Sequence, residues 1–397
     1  MKTELSEEKK LSRWLVFLLA SACGLIVANL YYAQPLVGPI SVATGISAGL
    51  SGLIVTMTQL GYAIGLLFLV PLSDLLENRR LVASILIIAI LGLIAASMAK
   101  NSYIFFLATI LIGLGSVAAQ ILVPFAAHLA PAKQRGSIVG NVMSGLLLGI
   151  MLARPTASLI TGIWGWQAVF LMSAVIMGIL TILLSCLLPK RNPQPRDSYR
   201  AIIKSLWFIF QTTPVLRRRS LYQAALFGSF SLFWTVVPLW LSHHFHLTQN
   251  GIALFAFVGV AGAVAAPIAG RMADRGWTRK LTGIAFVTAA SSFAITHISP
   301  NNQTISLIIF CTAAILLDMA VSGNLVLGQQ AIYGLGDEMR GRVNGVFMAV
   351  FFAGGAIGSA LGGWSYAHGN WAAASMIGFS MPILAFLYYL TEKSKCI

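Results

Sequence analysis

Two stretches of this 397-residue chain read alike: Asp74-Leu75-Leu76-Glu77-Asn78-Arg79-Arg80-Leu81 and Asp274-Arg275-Gly276-Trp277-Thr278-Arg279-Lys280-Leu281. Each sets an Asp, a basic pair and a Leu at the same spacing, between two long apolar runs. A second match lies downstream of each. Gly140, Met143 and Gly149 follow Arg135-Gly136, and Gly345, Met348 and Gly354 follow Arg340-Gly341. Trp166 and Trp371 close these two segments. Two halves that repeat their loops in one order point to a duplicated transporter, with its solute site between the halves near the bilayer midplane.

The runs between the loops give the element count. A helix needs about 20 apolar residues to cross a bilayer. Twelve segments qualify, at 14–39, 48–72, 81–99, 103–129, 137–163, 167–188, 220–243, 250–270, 281–298, 303–333, 343–366 and 371–391. Composition agrees: 58% of the residues are hydrophobic and 9% charged, where soluble domains carry about a quarter charged. The expected fold is an all-α integral membrane protein with twelve transmembrane helices in two pseudo-symmetric six-helix bundles. The bundles span 1–188 and 220–397, and a cytoplasmic central loop, 189–219, joins them.

The net charge of +15 would suit nucleic acid, but its placement points to membrane topology. All Lys and Arg except Lys100 and Arg154 fall at the termini or in the loops 73–80, 131–136, 189–219, 271–280 and 334–342. The alternate loops are short and nearly uncharged. Positive charge stays on the cytoplasmic side, so both termini are expected in the cytoplasm of a cell whose inner membrane holds the chain. Within the central loop, residues 199–207 have the pattern of an amphipathic helix lying on a lipid face or tethering the bundles. Lys9, Lys10 and Arg13 precede an apolar run, and Ala20-Ser21-Ala22-Cys23 looks like a cleavage site. The run continues past Cys23, so it reads as the first span rather than a signal peptide. Cys23, Cys186, Cys311 and Cys396 form no spaced pair, and no structural disulfide is expected.

Gly270-Arg271-Met272-Ala273-Asp274-Arg275-Gly276-Trp277-Thr278-Arg279-Lys280 resembles the signature loop of the major facilitator superfamily. The Asp74 loop is its degenerate twin, with Pro71 where glycine is usual and Leu75 where arginine is usual. Asn29-Leu30-Tyr31-Tyr32-Ala33-Gln34-Pro35-Leu36 is similar to the opening of arabinose-efflux-like and drug:proton antiporter members. The resemblance covers the whole chain. It departs from many drug antiporters at Thr109, where they carry an arginine, and at Ile150, where a proline follows their glycine. It implies a cytoplasmic gate: Asp74 and Asp274, supported by Arg79, Arg80, Arg275, Arg279 and Lys280, would meet the helix starts at Arg135 and Arg340. A carboxylate favours a helix N-terminus and pairs with arginine. The alternative is a solvated turn.

Two charges lie inside spans. Asp318 is the one acid within a span, and Arg154 is the one basic residue deep in a span. A charge at the bilayer centre costs at least about 2.5–3.5 kcal/mol, so it faces a cavity or a partner. Burial raises a carboxyl pKa and a nearby cation lowers it, so a moving partner can load and unload a proton. Asp318 is therefore the candidate proton carrier, with a static packing role as the alternative. Arg154 contacts either an anionic substrate group or Asp318, or else snorkels to the outer headgroups.

In the fold that the resemblance implies, spans one, four, seven and ten line the cavity. Their polar and aromatic residues are the candidate substrate contacts: Asn29, Tyr31, Tyr32, Gln34, Gln120, Phe230, Trp234, Asn324 and Gln329. Such a lining suits a neutral or amphiphilic solute. His243, His244 and His246 lack a nearby carboxylate, and no metal or cofactor is expected. The chain shows no H-E-x-x-H or G-x-S-x-G motif and no phosphate-cradling loop, so neither an enzyme nor an ATP-driven pump is expected. The leading reading is proton-antiport export of a drug, sugar or metabolite by a monomer that meets solute, protons and lipid but no nucleic acid. Uptake by symport or facilitated diffusion stays open, as does a transport-dead sensor.

Overall fold

A computed structural model describes residues 12–131, 134–193, 197–298, 302–335 and 340–392. Lys9, Lys10 and Cys396 lie outside them. The described chain is built of helices joined by short turns, as lipid demands of any segment that must satisfy its own backbone. Eight helices are long and apolar enough to cross a membrane, the last being Arg340–Leu390. That helix breaks at Gly369 and Asn370, whose backbone leaves helical geometry, and makes two spans. Three further spans complete the twelve: the pieces Arg13–Ala28 and Val37–Thr44, the pieces Gln249–Val258 and Ala265–Ala273, and Thr278–Ile295.

Polar side chains start several helices. Asn101 accepts from the Ile104 amide, and Asn302 from those of Thr304 and Ile305. Each satisfies amide hydrogens that the first helical turn leaves without a partner. One end of the molecule carries the Asp74 and Asp274 loops and the helix Tyr199–Thr212 that joins the halves. This is the basic end. The other, neutral end carries the tight turns at Gly45, Gly165 and Asn370.

The duplication read from the sequence recurs in the packing. Span five (Arg135–Trp164) lies so close on span one that a Cβ on Gly149 would strike the backbone of Gly24. Span eleven lies equally close on span seven (Pro214–His244), with Gly354 against Ala224 and Gly358 against Gly228. Small residues permit this backbone approach. Gly145 shares the contact with span one, whereas Gly140 stands in open space.

Spans one, four and eight are interrupted. Span one turns irregular after Ala28 before its second piece begins. Span four bends at Val117, between Ser102–Ser116 and Ala118–Leu129. Span eight becomes a tighter 3-10 helix over Gly259–Val264. The helix Tyr199–Thr212 buries Ile202, Leu206 and Ile209 and exposes Trp207 and Phe208. It touches both halves. The Tyr199 hydroxyl donates to the Phe68 carbonyl at 2.9 Å. Just ahead of the helix, Asp197 pairs with Arg342 at 2.8 Å.

Candidate functional site

A cavity of about 680 Å³ runs between the halves. Its mouth is at the basic end, with Ser73 and Asp74 on one lip and Arg340 and Arg342 on the other. Its far wall holds Tyr31, Arg154, Phe230 and Asp318. Beyond these the halves meet tightly at the neutral end. The Thr56 hydroxyl lies 2.8 Å from that of Ser359 and donates to the Ala356 carbonyl at 3.1 Å. Gln59 Nε2 donates to Ser231 Oγ at 2.8 Å. A Cβ on Gly52 would collide with the Ser359 carbonyl. The cavity is thus open at one end and sealed at the other.

The two intramembrane charges come together at the inner limit of the cavity. Arg154 Nη1 stands 3.9 Å from Asp318 Oδ2, and their side chains are only 4% and 8% exposed. One belongs to each half. Three rings surround the guanidinium, with its carbon 4.2 Å from the Trp234 centroid, 4.8 Å from that of Phe230 and 5.5 Å from that of Tyr31. Such cation–π contacts contribute about 2 kcal/mol each when desolvated. Arg154 Nε donates to Gln34 Oε1 at 2.7 Å. Trp234 Nε1 donates to Asp318 Oδ1 at 2.9 Å. Trp234 therefore holds the carboxylate with its edge and the guanidinium with its face. Snorkelling by Arg154 is overturned, because its guanidinium is buried inside the protein at a site where partners outweigh the pull of the headgroups.

The remaining expected contacts divide. Gln120 lies on the wall and donates to the Tyr62 hydroxyl at 3.0 Å. Gln329 lies near the mouth and donates to Asn344 Oδ1 at 3.4 Å. Gln34 and Trp234 sit behind the wall, holding Arg154 and Asp318. Tyr32 is buried beside the break in span one and is not part of the cavity lining. Asn29 turns from the cavity. Its amide donates to the carbonyls of Leu25 and Ile26 at the end of the helix, and its oxygen accepts from Ser173. Asn324 also packs inside its half, donating to Gln223 Oε1 at 2.7 Å. Polar side chains in lipid turn inward, yet a neighbouring helix satisfies them as well as a cavity does.

At the basic end, Asp274 accepts from Gln330 Nε2 at 3.0 Å, and Asp74 lies on the open lip. Arg80 pairs with Glu77 at 3.3 Å. Arg79 donates to the Leu188 carbonyl, Arg135 to that of Ala127, Arg340 to that of Tyr333 and Arg279 to that of Glu392. Lys280 sits over the Trp277 ring, and Arg275 is exposed. Each of these contacts stays within its own half. At the neutral end, His243 meets the Tyr366 hydroxyl and His244 stacks on Trp240.

Sequence reasoning missed Gly259 and Gly262. A Cβ on Gly259 would stand 2.7 Å from Asp318 Oδ2 and 2.9 Å from the Trp234 ring, and one on Gly262 would strike Asp318 Cβ. These glycines give span eight the shape that admits the carboxylate. Their three-residue spacing, in the span that follows Trp234, was the available signal.

A family model described as Major Facilitator Superfamily matches residues 16–332 and 220–395. The chain is 37% identical to the uncharacterized transporter YgaY of Escherichia coli O157:H7, over 96% of each chain. It is 30% identical to a protein of Streptomyces coelicolor described as a probable transporter, over 92% of this chain and 85% of the relative. Among solved structures it superposes on a bacterial homologue of the human lysosomal transporter Spinster. The TM-score is 0.76 at 14% identity, over 95% of this chain and 96% of the other.

Proposed function

The chain belongs to the Major Facilitator Superfamily, and from that premise we propose that it exports a small organic solute by exchange for protons. It is a multi-pass inner-membrane transporter and not an enzyme. The observation that carries the proton reading is the loose Arg154–Asp318 pair, one charge from each half, at the inner limit of the cavity. A rocking motion of one half against the other changes that separation. A buried carboxylate holds its proton when the cation withdraws and releases it when the cation returns. The pair thereby ties protonation to conformation.

Orientation follows from charge. The basic end takes the cytoplasmic side, with both termini there, so the described state is open inward. The first bundle, 1–188, and the second, 220–397, move about the central loop. Closing the inner mouth brings Asp74 to the start of span eleven at Arg340, and Asp274 to the start of span five at Arg135. Arg79, Arg80, Arg275, Arg279 and Lys280 hold the two loops in shape. Those contacts and the neutral-end seal are alternatives, and each stabilises one of two states. Tyr31, Gln120 and Phe230 contact the solute, and the monomer suffices. Outward direction rests on the likeness of Asn29–Leu36 to efflux members.

The test is proton movement in proteoliposomes challenged with pooled drugs, sugars and metabolites. Solute entry that drives protons the opposite way supports exchange. Protons moving with the solute mean symport, and solute flux without protons means facilitated diffusion.

A further inference from the structure

Among the described residues, only one of the Arg154 nitrogens makes a hydrogen bond. Its Nε is taken by Gln34, and its Nη1 lies 3.9 Å from Asp318 Oδ2, beyond hydrogen-bond length. Its Nη2 is buried and has no hydrogen-bond partner among the described residues. Asp318 is in a similar position. Trp234 occupies Oδ1, while Oδ2 faces Arg154 across that gap. Both side chains line the cavity. The site therefore presents an unsatisfied donor next to an under-used acceptor, at a place where unmade hydrogen bonds are costly.

Net charge narrows what fits. The pair sums to zero, and the remaining residues of the inner wall, Tyr31 and Phe230, carry no charge. A solute with a formal charge would neutralise one member of the pair and leave the other uncompensated in a poorly solvated place. A neutral group that both donates and accepts satisfies both. We propose that the transported solute is electrically neutral and is held by a hydroxyl or primary amide bridging Arg154 and Asp318, with its ring or apolar body against Phe230 and Tyr31. This rests on the reading of Asp318 as the proton carrier. It adds a reason for exchange: protonation turns one Asp318 oxygen into a donor, makes the carboxyl a weaker, uncharged acceptor and leaves the site with a net positive charge, so proton and neutral solute compete. The titratable groups facing Asp318 are Arg154 from span five and Tyr31 from span one. An acidic solute would instead prefer the protonated site and travel with the proton.

The experiment measures binding to the purified full-length protein by equilibrium dialysis, with two series matched in shape. One is phenyl glucoside, phenyl glucuronide and phenyl glucosaminide. The other is nicotinamide, nicotinate and 3-aminomethylpyridine. In at least one series the neutral member is expected to bind about tenfold more tightly than both charged members. Asp318→Asn is expected to weaken that binding by about tenfold. The charge-neutral double variant Arg154→Gln with Asp318→Asn keeps the site balanced and is expected to lose binding while remaining monodisperse. A charged member binding as tightly as its neutral counterpart overturns the proposal, as does failure of every neutral member to bind. A pH dye in the same samples separates the two readings. Preference for the neutral member without proton release sinks proton exchange alone, and charged-solute binding with proton release sinks neutral selection alone.

Discussion

The two ends of this molecule join its halves by different means. At the neutral end, the halves touch through Gly52, Thr56, Gln59 and Ser359, with helix backbones nearly in contact and short hydrogen bonds between small side chains. At the basic end, Asp74 faces Arg340 and Arg342 across an open mouth, and the Tyr199–Thr212 helix reaches both sides, through Tyr199 to Phe68 and through Ser205 to Arg342. Close packing acts over tenths of an ångström and has no intermediate setting. Charge acts over several ångströms and tolerates water. A seal of the first kind is all-or-none. A gate of the second kind opens by degrees and responds to salt.

Substitutions can break this contrast, in decreasing order of effect. Gly52→Ala inserts a methyl group against the Ser359 carbonyl. Overpacking costs about 1–3 kcal/mol, which shifts the states roughly 5–150-fold. Cysteine labelling at the neutral end is expected to rise and transport to fall at least about tenfold. Trp234→Phe keeps the ring beside Arg154 but loses the hydrogen bond to Asp318. A hydrogen bond to a charged group contributes about 1.5–3 kcal/mol, so a loss of about tenfold or more in apparent solute affinity is expected in uptake assays.

Asp74→Asn spares the seal and weakens the opposing gate. Turnover is expected to fall about threefold to tenfold, with labelling of the basic mouth increased, in line with a helix-terminus charge interaction of about 0.3–1 kcal/mol plus an arginine partner. Arg342→Ala severs a pair whose members are 32% and 45% exposed. Such pairs contribute about 0.2–1 kcal/mol, so the expected effect is at most about fivefold and fades in high salt. An Arg342→Ala effect larger than that of Gly52→Ala would reverse the comparison.

The duplicated Asp74 and Asp274 loops made the architecture legible, because topology is written in the alternation of apolar runs and basic loops. Arg154 and Asp318 were also legible one at a time, since a charge in a span must have a reason. Their pairing was one of three readings open for Arg154, because it depends on a distance between two halves. The breaks in spans one, four and eight were hidden for another reason: hydropathy registers an apolar run whether or not it stays helical. Asn29 shows the consequence. Its polarity suggested a cavity contact, and its position at a helix break gave it two carbonyls to donate to instead. Which end stands open is a property of tertiary packing, to which composition is blind.

Conversion of a proton gradient into solute movement by Asp318 is the proposal on which the exchange mechanism stands. It is tested most directly by comparing proton-driven accumulation with solute counterflow in proteoliposomes containing Asp318→Asn. Accumulation is expected to be abolished while counterflow at saturating solute persists, because alternation survives and coupling does not. Undiminished proton-driven accumulation in Asp318→Asn would contradict it.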